Sequence, residues 1–308
     1  MNFTVLKNWI LRRSWVNKRI KEIYLWYLLF LMTPARKHSL QEAAKFSGLN
    51  KSQFSRFLKG HGAVAVYSLD QLSKKEAKRV SVVVKNLSKG QLPWNIALLI
   101  DSTIQTRSTL HTENAKRFNH GKGFVIGHQW TNIVLLINDR IIPLPPIAFY
   151  SKKYCREKNM KYKTENESVV EYLTLLNLKD YIGHHNPREV LVLADSGYDD
   201  KKIEKAIIGK GWQFIIALNK TRSVKSEKQY DTSPKSRGWR HVAALFTDHR
   251  RSRWQGVRIF TDSPKRKRMD FRVRQIIGYL RYVGKVRLIC SEFKKNRVVG
   301  ESTWLAMT

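Results

Sequence analysis

The sequence is short of acid. Its 308 residues hold 24 Asp and Glu against 58 Lys and Arg, a formal net charge of +34. Cysteine is nearly missing, with Cys155 and Cys290 the two present. That excludes a disulfide framework and a Cys-x-x-Cys metal site, and it suits two reduced structural thiols in a cytosolic protein. No long hydrophobic run occurs. The longest, Ile23 to Met32, falls short of the ~20 residues that span a bilayer, and no small-residue cleavage pattern makes it a signal peptide. It is expected to be a buried helix, at a subunit contact. Internal repeats and low-complexity tracts are also absent.

What is present is enough apolar material to fold. Hydrophobic residues make up 42%, with 13 Phe, 12 Tyr and 9 Trp, so the chain is not a disordered polycation. The length suggests roughly two domains of ~100–200 residues. A folded body this basic asks for a polyanion, and nucleic acid is the first choice, because Lys and Arg that neutralise phosphates release condensed counterions. A membrane surface is the competitor, but it usually comes with a basic amphipathic helix or a lipid signal.

Along the chain, residues 1–33 read as one or two helices ended by Pro34, residues 39–60 as two short helices around Gly48, and Tyr67 to Lys89 as a charged helix. Gly90 and Pro93 break the pattern. Short apolar runs with strand composition follow at 96–100, 124–126 and 133–137, and a turn at Asn138-Asp139-Arg140 leads into 141–144. A helix is predicted from Glu165 to Leu176, a strand at 190–194, a helix from Lys201 to Ile208 and a strand at 214–218. This order predicts a mixed α/β sheet. The stretch 219–300 differs: it has 23 Lys and Arg against 6 Asp and Glu, half of the excess charge. Alternating apolar and basic positions at 257–260 and 271–277 predict half-buried strands with one cationic face. Lys265, Arg266, Lys267 and Arg268 form the longest basic run, expected in a solvated hairpin loop that faces phosphate.

Two constellations bear on chemistry. The first has helix-turn-helix spacing from Leu40. Ala43 and Ala44 are the small residues at the helix contact. Gly48 sits at the turn, where a positive φ is wanted. Leu49, Phe54 and Phe57 hold the apolar positions, and Asn50 can cap the second helix. Gln53, Ser55, Arg56 and Lys59 then face outward, toward a major groove. An ordinary helical hairpin has the same spacing. The second constellation is a pair of aspartates, Asp101 directly after the run 96–100 and Asp195 directly after 190–194. Ligands of open α/β sheets gather at the carboxyl ends of strands. If the two strands are parallel neighbours, the carboxylates converge as hard-oxygen ligands for Mg²⁺. Either Asp alone could be a turn or cap residue.

Leu98-Leu99-Ile100-Asp101-Ser102-Thr103 and Leu193-Ala194-Asp195-Ser196-Gly197-Tyr198 resemble the first and second acidic motifs of DDE transposases of the IS4-like insertion-sequence kind. The resemblance covers about residues 90–308. It implies a ribonuclease-H-like core, with residues 219–300 as the β-rich insertion that precedes the family's final Glu. It also implies metal-dependent cleavage at transposon ends and strand transfer through the freed 3′-hydroxyl. Asp101 would bridge two metal ions and Asp195 would hold one. The final Glu, usually within a Tyr/Arg/Glu/Lys signature, has no match. Glu292 and Glu301 lie in the right region but the wrong context, and Tyr154-Cys155-Arg156-Glu157-Lys158 mimics the signature in letters only. The chain is therefore expected to stop before its last catalytic residue.

The expected architecture is α+β: a helical helix-turn-helix region over 1–92, a ribonuclease-H-like mixed α/β core over 93–220 and the basic β-rich part over 221–308. The expected cofactor is Mg²⁺, with Mn²⁺ as a substitute. The expected partners are double-stranded DNA, as terminal repeats and target, and a second copy of the chain, with no membrane; the expected location is the cytoplasm, on the nucleoid. The alternative is a catalytically incomplete DNA-binding remnant that inhibits transposition. An unrelated ribonuclease-H-type nuclease is a further rival, against which the helix-turn-helix argues for duplex DNA. Weaker candidates are His111, His120 and His128, which lack zinc spacing, and Lys122, Arg107 and Arg156 as phosphate contacts.

Overall fold

The structure is a computed structural model, and it describes residues 18–31, 39–87, 96–108, 110, 113–120, 123–138, 140–183, 185–232, 238–248, 254–260, 268–295 and 298–308. It divides into two compact units, Met1–Leu72 and Ser73–Thr308.

The first unit holds α1 (Lys18–Leu31), α2 (Leu40–Ser47) and the start of α3 (Lys51–Leu87). The apolar run of α1 is buried in part: Ile23, Tyr24 and Phe30 cluster with Ala43, Phe54 and Phe57. Ser39 caps α2 by accepting from the Glu42 amide at 3.2 Å. Gly48 ends that helix at φ 72°, a backbone region costly for any residue with a Cβ. Asn50 then starts α3. Its side chain accepts from the Ser52 amide at 2.9 Å, and Gln53 Oε1 accepts from the Asn50 amide at 2.8 Å, a reciprocal cap. The two short helices expected over 39–60 and the separate helix from Tyr67 are corrected here, because α3 runs unbroken to Leu87. Gly60 and Gly62 cost the helix roughly 1 kcal/mol each relative to Ala but do not forbid it, and no Pro intervenes. The boundary between the units falls inside this helix.

The second unit is built on one sheet. Its described strands are β1 (Ile96–Thr106), β2 (Lys116–His120), β3 (Gly123–Ile137), β4 (Arg140–Pro143), β5 (Ile147–Ala148), β6 (Val190–Ala194), β7 (Gln213–Leu218), β8 (Ser223–Ser226), β9 (Arg240–His241), β10 (Gln255–Phe260), β11 (Arg268–Leu280), β12 (Gly284–Lys295) and β13 (Val298–Met307). The order is β2-β3-β1-β6-β7-β13-β12-β11-β8-β9, with β4 and β5 also on β3 and β10 on β11. β1, β6 and β7 run parallel, and β3 and β13 flank them antiparallel. This mixed α/β arrangement is compatible with a ribonuclease-H-like core. The runs 124–126 and 133–137 are one long strand rather than two, since β3 pairs with β1 along that strand's whole length.

Register partners share a face of a sheet, and successive residues alternate between faces. One face carries Leu98, Ile100, Val190, Val192, Phe214, Ile216, Leu288 and Ala306, all buried to 2% exposure or less. It joins one core with Val169 and Leu173 of α5 (Glu165–Leu175) and Ile203 and Ile207 of α7 (Lys201–Gly209); two shorter helices also occur before α7, α4 (Lys152–Glu157) and α6 (Lys179–Ile182). A capping box at Thr164 and Glu167 starts α5. The other face is aliphatic but half open. Leu99 is 37% exposed and Ile141 71%, while Leu193, Ile215, Ala217, Ile289, Leu305 and Met307 are only half-buried.

The basic region is β-rich as expected, but its pattern needs correction. β10 is exposed along its whole length rather than half-buried, because it pairs with β11 at the margin of the sheet. The arginines of β11 do not form a free cationic face either. Arg272 and Arg274 stack on Trp254 at 4.5 and 4.6 Å from the ring centre, and Arg272 also pairs with Glu292.

Candidate active site

The pairing of β1 decides where Asp101 lies. β3 stays hydrogen-bonded to β1 from Ile96 to Thr106, with Asp101 opposite Asn132. β6 leaves β1 after the pair Ile100 and Ala194. Asp101 is therefore within the strand rather than after it, at the point where β1 loses its parallel neighbour. Asp195 is the first residue past β6. The two residues thus follow the last β1–β6 pair by one register step, Asp195 at the carboxyl end of β6 and Asp101 beside it in β1. Alternation puts both on the half-open face, and both are exposed. Asp195 Oδ1 accepts from the Gly197 amide at 2.9 Å, which caps the 3-10 turn Ser196–Tyr198.

A divalent cation fits this donor set as far as it goes. Two carboxylates are hard-oxygen ligands of the type Mg²⁺ takes alongside waters and phosphate oxygens. Among the described residues, no group of three or more His, Cys, Asp or Glu could hold a metal ion.

Two buried polar clusters back the aspartates. On the helix-covered face, Glu165 at the first residue of α5 accepts from Gln129 Nε2, from Thr131 Oγ1 at 2.8 Å and from the Tyr198 hydroxyl at 2.9 Å. Thr131 is next to Asp101's cross-strand partner, and Tyr198 ends the turn that Asp195 begins. Burial, helped by the Glu165 carboxylate, pushes the Tyr198 hydroxyl up, so it stays protonated and donates. The second cluster is an ionic triad. Arg222 lies 3.2 Å from Asp199 and also pairs with Glu204 of α7, which is fully buried. Burial raises both carboxyls, and Glu204 reaches about 7 despite the pull of Arg222. Asn219, just past β7, donates its amide nitrogens to Asp199 Oδ2 and its side-chain Nδ2 to the Ser196 carbonyl at 3.1 Å. The turn after Asp195 is thereby fixed from below. Glu165, Asp199, Glu204, Asn219 and Arg222 belong to no motif that marks them in the sequence as site residues. The capping box before Glu165 was a usable local signal.

The other sequence candidates are scattered. Ser55 and Arg56 are exposed on α3, Gln53 is partly occupied by its cap, and the Lys59 side chain lies outside the described residues. Lys265, Arg266 and Lys267 also lie outside them; Arg268 is exposed and 3.0 Å from Asp270. His111 and Lys122 are outside as well, as is the side chain of His120. His128 accepts at Nδ1 from Arg107 Nε at 3.2 Å and lies 2.7 Å through Nε2 from the Glu113 carbonyl. Arg156 is exposed on α4, where Glu157 pairs with Lys153 at 3.8 Å. Glu292 accepts from Arg272 and from Ser302 at 2.8 Å, and its register puts it on the face opposite the aspartates. The Glu301 side chain is outside the described residues. Cys155 and Cys290 are free and buried. No described helix is long and apolar enough to cross a membrane.

The second unit is a mixed α/β core in which Asp101 and Asp195 occupy neighbouring positions on adjacent parallel strands. Residues 151–283 match the family model of the transposase DDE domain. That match includes Asp195 and most of the basic β-rich region, and it supports a DDE transposase of an insertion sequence. A search of curated proteins found no match.

Proposed function

We propose that this chain cleaves DNA at the ends of an insertion sequence and joins the freed 3′-hydroxyl to target DNA, with Asp101 and Asp195 as ligands of divalent metal. The observation that supports this reading is the register of β1 and β6, in which Asp101 and Asp195 each follow the last paired residue of adjacent parallel strands, in a protein with net charge +34. Asp101 and Asp195 would hold the metal. Mg²⁺ is the ion proposed, with Mn²⁺ able to substitute. When bound, divalent metal would supply charge stabilisation for the attacking and leaving oxygens of an in-line phosphoryl displacement. Glu165 and the Arg222 triad keep the carboxylates in register, so that little reorganisation is needed when metal and phosphate arrive. A further acidic ligand has to reach this centre, and the half-open aliphatic face over β1 and β6 is the side from which it would come. The helix pair around Gly48 is proposed to bind duplex DNA through Ser55, Arg56, Lys59 and the free amide of Gln53, in a homodimer.

A nicking assay on supercoiled plasmid carrying the element's own ends tests this. Cleavage that needs Mg²⁺ or Mn²⁺ and is lost in Asp101→Asn is the expected result. Binding without cleavage by the wild-type chain would instead mark a DNA-binding protein that lacks catalysis.

A further inference from the structure

A polar cavity of about 380 Å³ opens at the carboxyl end of β7. It adjoins the candidate active site, because Asn219 in its wall donates to the carbonyl of Ser196, the residue after Asp195. Within it Asp199 pairs with Arg222, which Glu204 shares. Two more cations line it, Lys201 and Arg281, and among the described residues neither forms an ion pair. Other cations of the basic region are matched by acids: Arg258 and Arg268 by Asp270, Arg272 by Glu292 and Lys285 by Glu227.

Lys201 and Arg281 are held in another way. Lys201 Nζ lies 4.8 Å and Arg281 Cζ 4.9 Å from the ring centre of Tyr282. An aromatic ring orients a cation without cancelling its charge. Tyr282 itself is 59% exposed and stands at φ 69° in the tight turn between β11 and β12. That conformation is unfavourable for a bulky residue, and residues so held cluster at ligand clamps. Thr221 and Ser223 also line the wall. The arrangement is two oriented cations around a ring, neither in an ion pair among the described residues, with Thr221 and Ser223 alongside. It suits a tetrahedral dianion or a phosphodiester.

We propose that this cavity is a phosphate subsite for the DNA strand, gripping a backbone phosphate next to the one at Asp101 and Asp195 through Lys201 and Arg281, with Tyr282 aiming both. The proposal rests on the DNA-cleaving function proposed above. It names a specific clamp between α7 and the β11–β12 turn, apart from cations such as Arg258, Arg268, Arg272 and Lys285 that face acids.

The test measures affinity of the full chain for a labelled DNA duplex across a salt series. Each phosphate contact contributes about 0.9 to the slope of log K against log salt. The double variant Lys201→Ala/Arg281→Ala should lower the slope by about two such contacts, while Arg258→Ala, already matched by Asp270, should leave it near wild type. Tyr282→Leu keeps both charges, so it should weaken binding several-fold with little change in slope. All three side chains are exposed, and unchanged thermal melts would confirm that folding is intact. An unchanged slope in the double variant, with wild type binding normally, overturns the subsite. Undiminished affinity in Tyr282→Leu overturns the aiming role of the ring. Failure of the wild-type chain to bind DNA would instead sink the DNA-cleaving reading, which the nicking assay reports separately.

Discussion

On one face of the sheet Leu98, Ile100, Val192 and Phe214 are sealed under α5 and α7; on the other, Leu99, Leu193 and Ile215 of the same strands remain partly in water. The backbone hydrogen bonds are common to both faces, so the difference lies in what covers the side chains. The sealed face supplies the stability of the unit. The half-open face carries Asp101 and Asp195, where a metal, a phosphate or another segment can approach. Charged groups follow the same division. Asp199 and Glu204 have withdrawn from water and need Arg222, whereas the two site aspartates stay hydrated.

Substitutions can break this comparison. The largest effect is expected on activity: Asp101→Asn or Asp195→Asn should each reduce metal-dependent cleavage by more than the ~10–100-fold typical of outer-shell metal partners. Their melting behaviour should stay within about 0.5 kcal/mol of wild type, since both side chains are exposed. Next comes packing. Leu98→Ala should cost ~2–5 kcal/mol and Phe214→Ala ~3–5 kcal/mol in denaturant melts. Leu99→Ala, one residue along but on the other face, should cost well under 2 kcal/mol, about what half the burial implies. Equal losses at 98 and 99 would mean that the second face is covered in solution.

A smaller effect concerns pH. Glu204 is raised from 4.5 to about 7 by burial. A carboxyl raised in the folded state binds more protons there than in the unfolded chain. Its contribution is thus fully present below pH 4.5 and lost as pH rises through about 7. Between pH 5 and 8 the wild-type melting temperature should fall more than that of Glu204→Gln. Parallel curves would show that the triad is not a protonation site. Smallest is the cap of α2: Ser39→Ala should cost ~1 kcal/mol and leave cleavage chemistry untouched.

Asp101 and Asp195 stand out in the sequence because two apolar runs end abruptly at Asp, and strand ends are where such sheets bind ligands. What stayed hidden depends on partners distant in sequence. Ser102 to Thr106 are polar, yet they remain in β1 because β3 pairs with them. Glu204 looks like a surface residue of an amphipathic helix until Arg222, eighteen residues on, is folded against it. The alternation at 271–277 suggested a solvated cationic face, and Trp254 and Glu292 consume it instead. The helix from Lys51 to Leu87 is not legible as one element because Gly60 and Gly62 weaken a helix without ending it.

The central claim, that Asp101 and Asp195 hold one metal centre, is tested most directly by loading the full chain with Fe²⁺ in place of Mg²⁺ and mapping oxidative cuts in its own backbone. The account predicts cuts around residues 101 and 195 together, suppressed by excess Mg²⁺ and absent from either Asn variant. Cuts confined elsewhere, or a pattern unchanged in Asp101→Asn and Asp195→Asn, would contradict it.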